Sequence, residues 1–205
     1  MRLPQPALLV ISDRGQARRP IVEIAEAAFR AGCRWFSLRE KDLPAAARCV
    51  LLRDLVALGR RYDATVMAHE DIDAVVAAGA GGVHLPGGGD AAAARRRLGP
   101  GALIGVSAHT PEDAAAQRRA GADYATLSPV FLSASKPGYG PALGLAALAT
   151  AARLASGPIV ALGGIDDTNI AACRAAGAQG IAVMGEIMRA ADPEAAIRRL
   201  LAAMG

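Results

Sequence analysis

The sequence predicts one domain, residues 1–205, in which eight parallel strands close into a (β/α)8 barrel. Short apolar runs alternate eight times with Ala-rich stretches of helical length, the pattern of a parallel sheet covered by helices. The 205 residues suit one such domain, and 53% of them are hydrophobic, which allows a large core. A doubly wound open sheet usually has about five to seven strands, so eight units favour the closed TIM barrel.

The predicted elements alternate without interruption along the chain. We expect strands at residues 7–12, 35–39, 65–68, 82–85, 103–107, 124–127, 159–162 and 180–183. We expect helices at residues 21–31, 45–61, 71–78, 91–98, 111–120, 145–155, 168–175 and 193–204. Four glycines stand between a helix and the next strand, where glycine ends a helix in a left-handed turn: Gly32, Gly79, Gly121 and Gly177.

Composition excludes several classes of protein. The net charge is +4, but only 3% of residues are aromatic and no recognition motif occurs, so we expect no nucleic-acid partner. The apolar stretches are interrupted well before about 18 residues, so we expect no transmembrane helix. Cys33, Cys49 and Cys173 are odd in number and far apart, which fits buried thiols in a reducing cytoplasm better than disulfides or a zinc site.

The second predicted strand ends in a hydroxyl and two cations on one face. Side chains alternate along a strand, so Ser37, Arg39 and Lys41 point in the same direction. Arg offers a planar fork and Lys a point charge, so this pair can bind a phosphate or a diphosphate. Two other interpretations remain open: the charged side chains at this strand end face outward, or Lys41 forms a Schiff base.

Carboxylates follow the third and fourth predicted strands. After the third strand, the carboxylates of Glu70, Asp71 and Asp73 could hold Mg²⁺, which takes oxygen ligands and shares them with substrate phosphates. Helix capping by Asp71 or Asp73 is an equally good interpretation. Asp90 could also bind a metal, although its position favours the N-cap of the next helix, and His84 inside its strand fits a packed, hydrogen-bonded residue better than a catalyst.

Two further anion sites are expected at the carboxyl end of the barrel. The longest loop candidate, residues 128–141, contains two serines and a lysine within four residues, Ser133, Ser135 and Lys136. The last two strands end in the glycine turns Gly163-Gly164 and Met184-Gly185. Such turns, leading into helices after the last two strands, form the common phosphate site of these barrels.

Together these motifs resemble thiamine phosphate synthase and its TenI-type relatives over nearly the whole chain. Five segments occur in the family's order and spacing, namely Leu38-Arg39-Glu40-Lys41, Gly82-Val83-His84-Leu85, Ile104-Gly105-Val106-Ser107, Pro129-Val130-Phe131 and Gly163-Gly164-Ile165. The resemblance implies a cytoplasmic, homodimeric transferase of thiamine biosynthesis. It would join a hydroxymethylpyrimidine diphosphate to a thiazole phosphate with the help of Mg²⁺ and release diphosphate.

The resemblance also implies roles for individual residues. The implied catalytic residues are Arg39, Lys41, Ser107 and Lys136. The implied substrate-binding residues are Ser37, His69, Ser133, Ser135, Gly163, Gly164, Met184 and Gly185. The implied metal ligands are Glu70 and, shifted by one position, Asp90.

The metal and pyrimidine positions are where the chain departs most from the family pattern. The synthases have Gln where Ser37 stands and Asn-Asp where His69-Glu70 stands. Leu85-Pro86 is more similar to the TenI-type branch, whose members bind or isomerise thiazole phosphate without synthase activity and can be regulatory. The tautomerase histidine of that branch is Pro129 here. A TenI-type protein is therefore the alternative function, and other phosphate-handling barrels such as aldolases or epimerases are a third class.

Overall fold

The computed structural model describes residues 2–133 and 141–205, and it confirms the predicted TIM barrel. Each strand pairs in parallel with the next, and the first pairs with the last, so the sheet is closed. The strands are β1 Leu8–Ile11, β2 Trp35–Leu38, β3 Thr65–His69, β4 Gly82–Leu85, β5 Leu103–Ala108, β6 Tyr124–Leu127, β7 Ile159–Leu162 and β8 Gly180–Val183.

A layer of helices surrounds the sheet. Within the described ranges they are α1 Ile21–Arg30, α2 Ala45–Arg60, α3 Ile72–Ala78, α4 Ala91–Leu98, α5 Pro111–Arg119, α6 Gly144–Leu154, α7 Ile170–Ala175, α8 Gly185–Met188 and α9 Pro193–Met204. The predicted helices are all present, with ends that differ by two residues or fewer. The short α8, directly after β8, was not expected, because a single turn of four residues has no apolar periodicity to detect.

Polar side chains set the starts of several helices. Asp71 and Asp90 accept hydrogen bonds from the backbone N–H groups three residues ahead, so both are N-caps, of α3 and α4. The expected start of α7 at residue 168 was two residues too early. The Asp166 carboxylate accepts hydrogen bonds from the backbone N–H and the hydroxyl of Thr168, and this local turn delays the helix to Ile170.

The lower barrel interior is filled by large side chains from several strands. The rings of Trp35 and Tyr124 meet edge to face with centroids 4.9 Å apart, and the Trp35 indole N–H donates to the Met67 sulfur at 2.9 Å. Gly105 leaves the space that the Tyr124 ring occupies, since a Cβ at this position would lie 2.1 Å from the ring. This packed layer lies directly below the polar residues at the carboxyl ends of the strands and supports them.

The three cysteines are free thiols, and two of them, Cys33 and Cys173, are buried. Burial raises the pKa of both thiols to about 11, so they are protonated at neutral pH. Within the described part of the chain, no helix has both the length and the apolar character that a membrane span requires.

Candidate active site

A cavity of about 690 Å³ opens at the carboxyl ends of the strands. Every strand, or the loop after it, contributes at least one side chain to its wall, so the cavity lies on the barrel axis. Representative lining residues, taken in strand order, are Ile11, Arg39, His69, His84, Ser107, Ser128, Leu162 and Val183.

Most of the residues chosen from the sequence line this cavity. Those that do are Arg39, Lys41, His69, Glu70, Ser107, Ser133, Gly163, Gly164, Met184 and Gly185. Ser37 and Asp90 are not part of its wall. Ser135 and Lys136 lie outside the described residues.

Ser37 lies beneath His69 rather than at the cavity surface. Its side chain faces the barrel interior as expected, but it is fully buried, and its hydroxyl is 2.8 Å from Nδ1 of His69. His69 is half-buried and lines the cavity. The Ser37 hydroxyl therefore contacts the His69 imidazole and does not itself reach the cavity.

The two cations after β2 both reach the cavity. Arg39 is half-buried, and its backbone N–H donates to the buried Ser12 hydroxyl at 2.9 Å, which ties the end of β2 to the end of β1. Lys41 is exposed and forms an ion pair with Glu70, with 2.8 Å between Nζ and Oε1. Glu70 has a left-handed backbone, φ 64°, at the turn that follows β3.

Glu40 stands between these cations but points away from the cavity. Its side chain is 2% exposed, and Oε2 accepts a hydrogen bond from the backbone N–H of Arg14 at 2.8 Å. Burial raises the pKa of the Glu40 carboxyl above its ordinary value. Glu40 therefore joins the loop after β1 to the loop after β2, and this contact fixes the backbone on either side of it, at Arg39 and Lys41.

A hydrogen-bonded chain runs from the barrel interior to the cavity at β4 to β6. Tyr124 OH lies 3.0 Å from Nδ1 of His84, and Nε2 of His84 lies 3.0 Å from the Ser107 hydroxyl. His84 is 1% exposed, and burial lowers its pKa to about 3, so it is neutral. The expectation that His84 is a packed, hydrogen-bonded residue is confirmed. Ser107, at the cavity end, is half-buried.

The turn after β7 packs tightly against the start of the long loop. Both Gly163 and Gly164 have positive φ, 97° and 64°. A Cβ on Gly164 would lie 2.3 Å from the carbonyl oxygen of Leu132, and the backbone N–H of Phe131 donates to the Gly163 carbonyl at 3.0 Å. Asn169 donates through its amide to the Gly164 carbonyl at 3.0 Å, which holds the turn from the α7 side.

The turn after β8 brings a cation that the sequence analysis missed. Gly185 begins α8, and one turn later Arg189, which caps the carboxyl end of α8, also lines the cavity. The Arg189 guanidinium donates to the side-chain oxygen of Gln16 in the loop after β1. Arg189 reaches the cavity because it follows the short helix α8. Since that helix was not predicted, no sequence motif indicated this arginine.

The carboxylates that the structure describes form no ready-made metal site. Among residues 2–133 and 141–205, no group of three or more His, Cys, Asp or Glu side chains is arranged to hold a metal ion. Asp71 caps α3 and pairs with Arg48 at 2.7 Å, so the capping interpretation of Asp71 is the correct one. Asp90 Oδ1 accepts the Ala93 N–H at 2.8 Å. Glu70 is thus the predicted ligand that lines the cavity.

Comparison with known proteins agrees with this architecture. The sequence model of the thiamine monophosphate synthase family matches residues 8–187. A thiamine-phosphate synthase from Anaeromyxobacter dehalogenans is 44% identical over 181 residues, which are 87% of this chain and 81% of that protein. Another from Roseiflexus castenholzii is 39% identical over 194 residues, 93% of this chain and 85% of that protein.

A solved structure has the same fold over almost the same length. The thiamine phosphate pyrophosphorylase from Pyrococcus furiosus superposes with a TM-score of 0.86 at 29% sequence identity, covering 96% of this chain and 94% of that one. The family match spans the barrel from β1 into α8, and every segment of the cavity wall described above lies within it except Arg189. This chain belongs to the thiamine monophosphate synthase family.

Proposed function

We propose that the protein is a thiamine phosphate synthase, which joins a hydroxymethylpyrimidine diphosphate to a thiazole phosphate and releases diphosphate. One observation carries the proposal: a single cavity has two cations at the end of β2 and glycine turns at the ends of β7 and β8. The turn after β7 is three strands round the closed barrel from β2, so the two anionic substrates have separate binding walls.

The reaction that the family resemblance implies needs electrostatic stabilisation more than proton transfer. The bond between the pyrimidine methylene carbon and the diphosphate oxygen breaks, and its electron pair leaves with the diphosphate. The thiazole nitrogen then donates its lone pair to form the new C–N bond. In this proposal Arg39 and Lys41 bind the departing diphosphate and Ser107 donates a hydrogen bond to it. His69, oriented by Ser37, borders the pyrimidine.

The thiazole phosphate is proposed to bind at the turns after β7 and β8. Backbone N–H groups at glycine turns can approach an anion closely because no Cβ intervenes. Gly164 and Gly185 line the cavity there, and Arg189 adds a positive charge one helical turn after Gly185. The family resemblance also implies roles for Ser133, which lines the cavity, and for Ser135 and Lys136, which lie outside the described residues.

Magnesium is proposed to bind together with the substrate diphosphate. Mg²⁺ usually keeps several waters and uses one or two carboxylates plus substrate phosphates, and Glu70, which lines the cavity beside the two cations after β2, fits that arrangement. Glu70 would be the first ligand, and binding would separate it from Lys41, which is then available to the diphosphate. When bound, the ion would offset the charge that develops on the leaving group.

The TenI-type alternative is not favoured, because the relatives that match most of the chain are named thiamine-phosphate synthases. We propose a cytoplasmic location, which suits the three free thiols. We also propose a homodimer, on the family resemblance alone.

The proposal predicts that the purified protein forms thiamine phosphate from the two precursors only when both are supplied with Mg²⁺. Product is measured by chromatography, and released diphosphate by a coupled assay, in equal amounts. A protein that binds thiazole phosphate tightly in calorimetry but never forms thiamine phosphate would contradict the synthase and restore the TenI-type function.

Replacing Gly164 by Ala is expected to weaken thiazole phosphate binding at least tenfold in calorimetry. The added Cβ meets the Leu132 carbonyl at 2.3 Å, so the turn and the start of the long loop must move apart. Gly121→Ala is the matched control, because Gly121 also has positive φ, 99°, but a Cβ there meets nothing within 4 Å. Equal affinities for Gly164→Ala and Gly121→Ala would show that the β7 turn does not bind the phosphate.

Removing the charge of Glu70 tests the metal proposal. Glu70→Gln is expected to lower synthase activity at limiting Mg²⁺ at least tenfold, about 1.4 kcal/mol in the barrier, with partial recovery at high Mg²⁺.

Asp90→Asn separates the two roles of Asp90, since Asn caps a helix as well as Asp but lacks the charge. A weaker Mg²⁺ response in Asp90→Asn at unchanged stability would establish Asp90 as a second ligand. Wild-type activity in excess chelator would refute the metal proposal.

A further inference from the structure

Tyr124, His84 and Ser107 form a continuous hydrogen-bonded chain, here called the hydroxyl relay, that has no role in the function proposed so far beyond the contact of Ser107. Its inner end, Tyr124, is fully buried among the barrel side chains. Its outer end, the Ser107 hydroxyl, reaches the cavity. A serine hydroxyl can either donate or accept, so what it offers to a ligand depends on the proton position in the imidazole next to it.

The direction of the relay follows from its inner end. The Tyr124 hydroxyl has two acceptors in reach, Nδ1 of His84 at 3.0 Å and the Met67 sulfur at 3.9 Å. An imidazole nitrogen is a much stronger acceptor than a thioether sulfur, and the Trp35 indole N–H already donates to that sulfur at 2.9 Å. Tyr124 therefore donates to His84.

The tautomer of His84 is then fixed. Because Nδ1 accepts from the Tyr124 hydroxyl, it carries no hydrogen, and the buried imidazole has a single N–H. The proton must be on Nε2, which lies 3.0 Å from the Ser107 hydroxyl oxygen and 3.5 Å from that of Thr126. Ser107 thus accepts from His84, and its own hydrogen remains to be donated elsewhere.

We infer that the hydroxyl relay is a positioning device that makes Ser107 a hydrogen-bond donor toward an anion in the cavity. With the opposite tautomer, Ser107 would donate to His84 and present only lone pairs, which would repel a diphosphate. Chained hydrogen bonds that run in one direction also polarise one another, so the Ser107 hydroxyl becomes a better donor. The inference rests on the proposed function for the identity of the anion, and Tyr124 and His84 act only through Ser107.

Tyr124→Phe removes the inner hydroxyl and keeps the ring that packs on Trp35. Inorganic diphosphate with Mg²⁺ is the probe, and its affinity is measured by calorimetry without turnover. We expect Tyr124→Phe to weaken binding about tenfold, the size of one hydrogen bond to a charged group. Tyr62→Phe is the matched control, since the Tyr62 hydroxyl pairs with Glu26 outside the cavity, and its diphosphate affinity should equal that of the wild type.

A double-mutant cycle separates positioning from a general effect on the fold. In a Ser107→Ala background, Tyr124→Phe should change diphosphate affinity less than twofold, because the hydroxyl that it orients is gone. An equal loss in both backgrounds would mean that Tyr124 acts only on barrel packing, and the relay would be wrong. A wild-type protein that does not bind diphosphate would also overturn the inference.

Nitrogen-15 NMR of the three histidines reads the tautomer directly. We expect the Nε2–H form for His84 in the wild type and a mixture in Tyr124→Phe. An Nδ1–H form in the wild type would overturn the relay whatever the activity. Diphosphate binding that depends on Tyr124 and Ser107 in a protein that makes no thiamine phosphate would keep the relay and reject the proposed function.

Discussion

The pairing of β1 with β8 is the constraint on which the rest of the molecule depends. It closes the sheet, and in a closed parallel sheet all eight carboxyl ends surround one axis. Side chains from eight separate segments of the sequence thereby reach a shared cavity of about 690 Å³. The side chains of Trp35, Met67 and Tyr124 fill the barrel interior below the cavity. Their packing holds the polar residues above them in position.

Backbone hydrogen bonds and one ion pair surround the charged side chains at the mouth of the barrel. Glu40 and Ser12 accept backbone N–H groups across the loops after β1 and β2, which restrains the backbone next to Arg39 and Lys41. The Lys41–Glu70 ion pair is exposed, so it contributes little to stability and can exchange partners when an anion and a cation arrive together. A rigid backbone with exchangeable side-chain pairs suits the proposed binding and release of a metal diphosphate.

The sequence predicted the closed barrel, and most of the site residues chosen from it line the cavity, because barrel strands are apolar along their length and end in polar residues. Glycine turns after β7 and β8 were visible for the same reason. Alternation along β2 placed Ser37 on the correct face but could not reveal that His69 from β3 covers it. Arg189 was missed because α8 is too short to leave a periodic pattern. The role of His84 depends on Tyr124 and Ser107, which are distant in sequence and meet only in the closed sheet.

In the proposed function, one cavity binds two anions on separate walls of the barrel. A crystal structure of the protein with thiamine phosphate, diphosphate and Mg²⁺ would show where each anion binds. We expect diphosphate beside Arg39, Lys41 and Ser107, with the phosphate of the product on the turns at Gly164 and Gly185. Both anions on the same wall, or the product phosphate bound away from the two glycine turns, would contradict it.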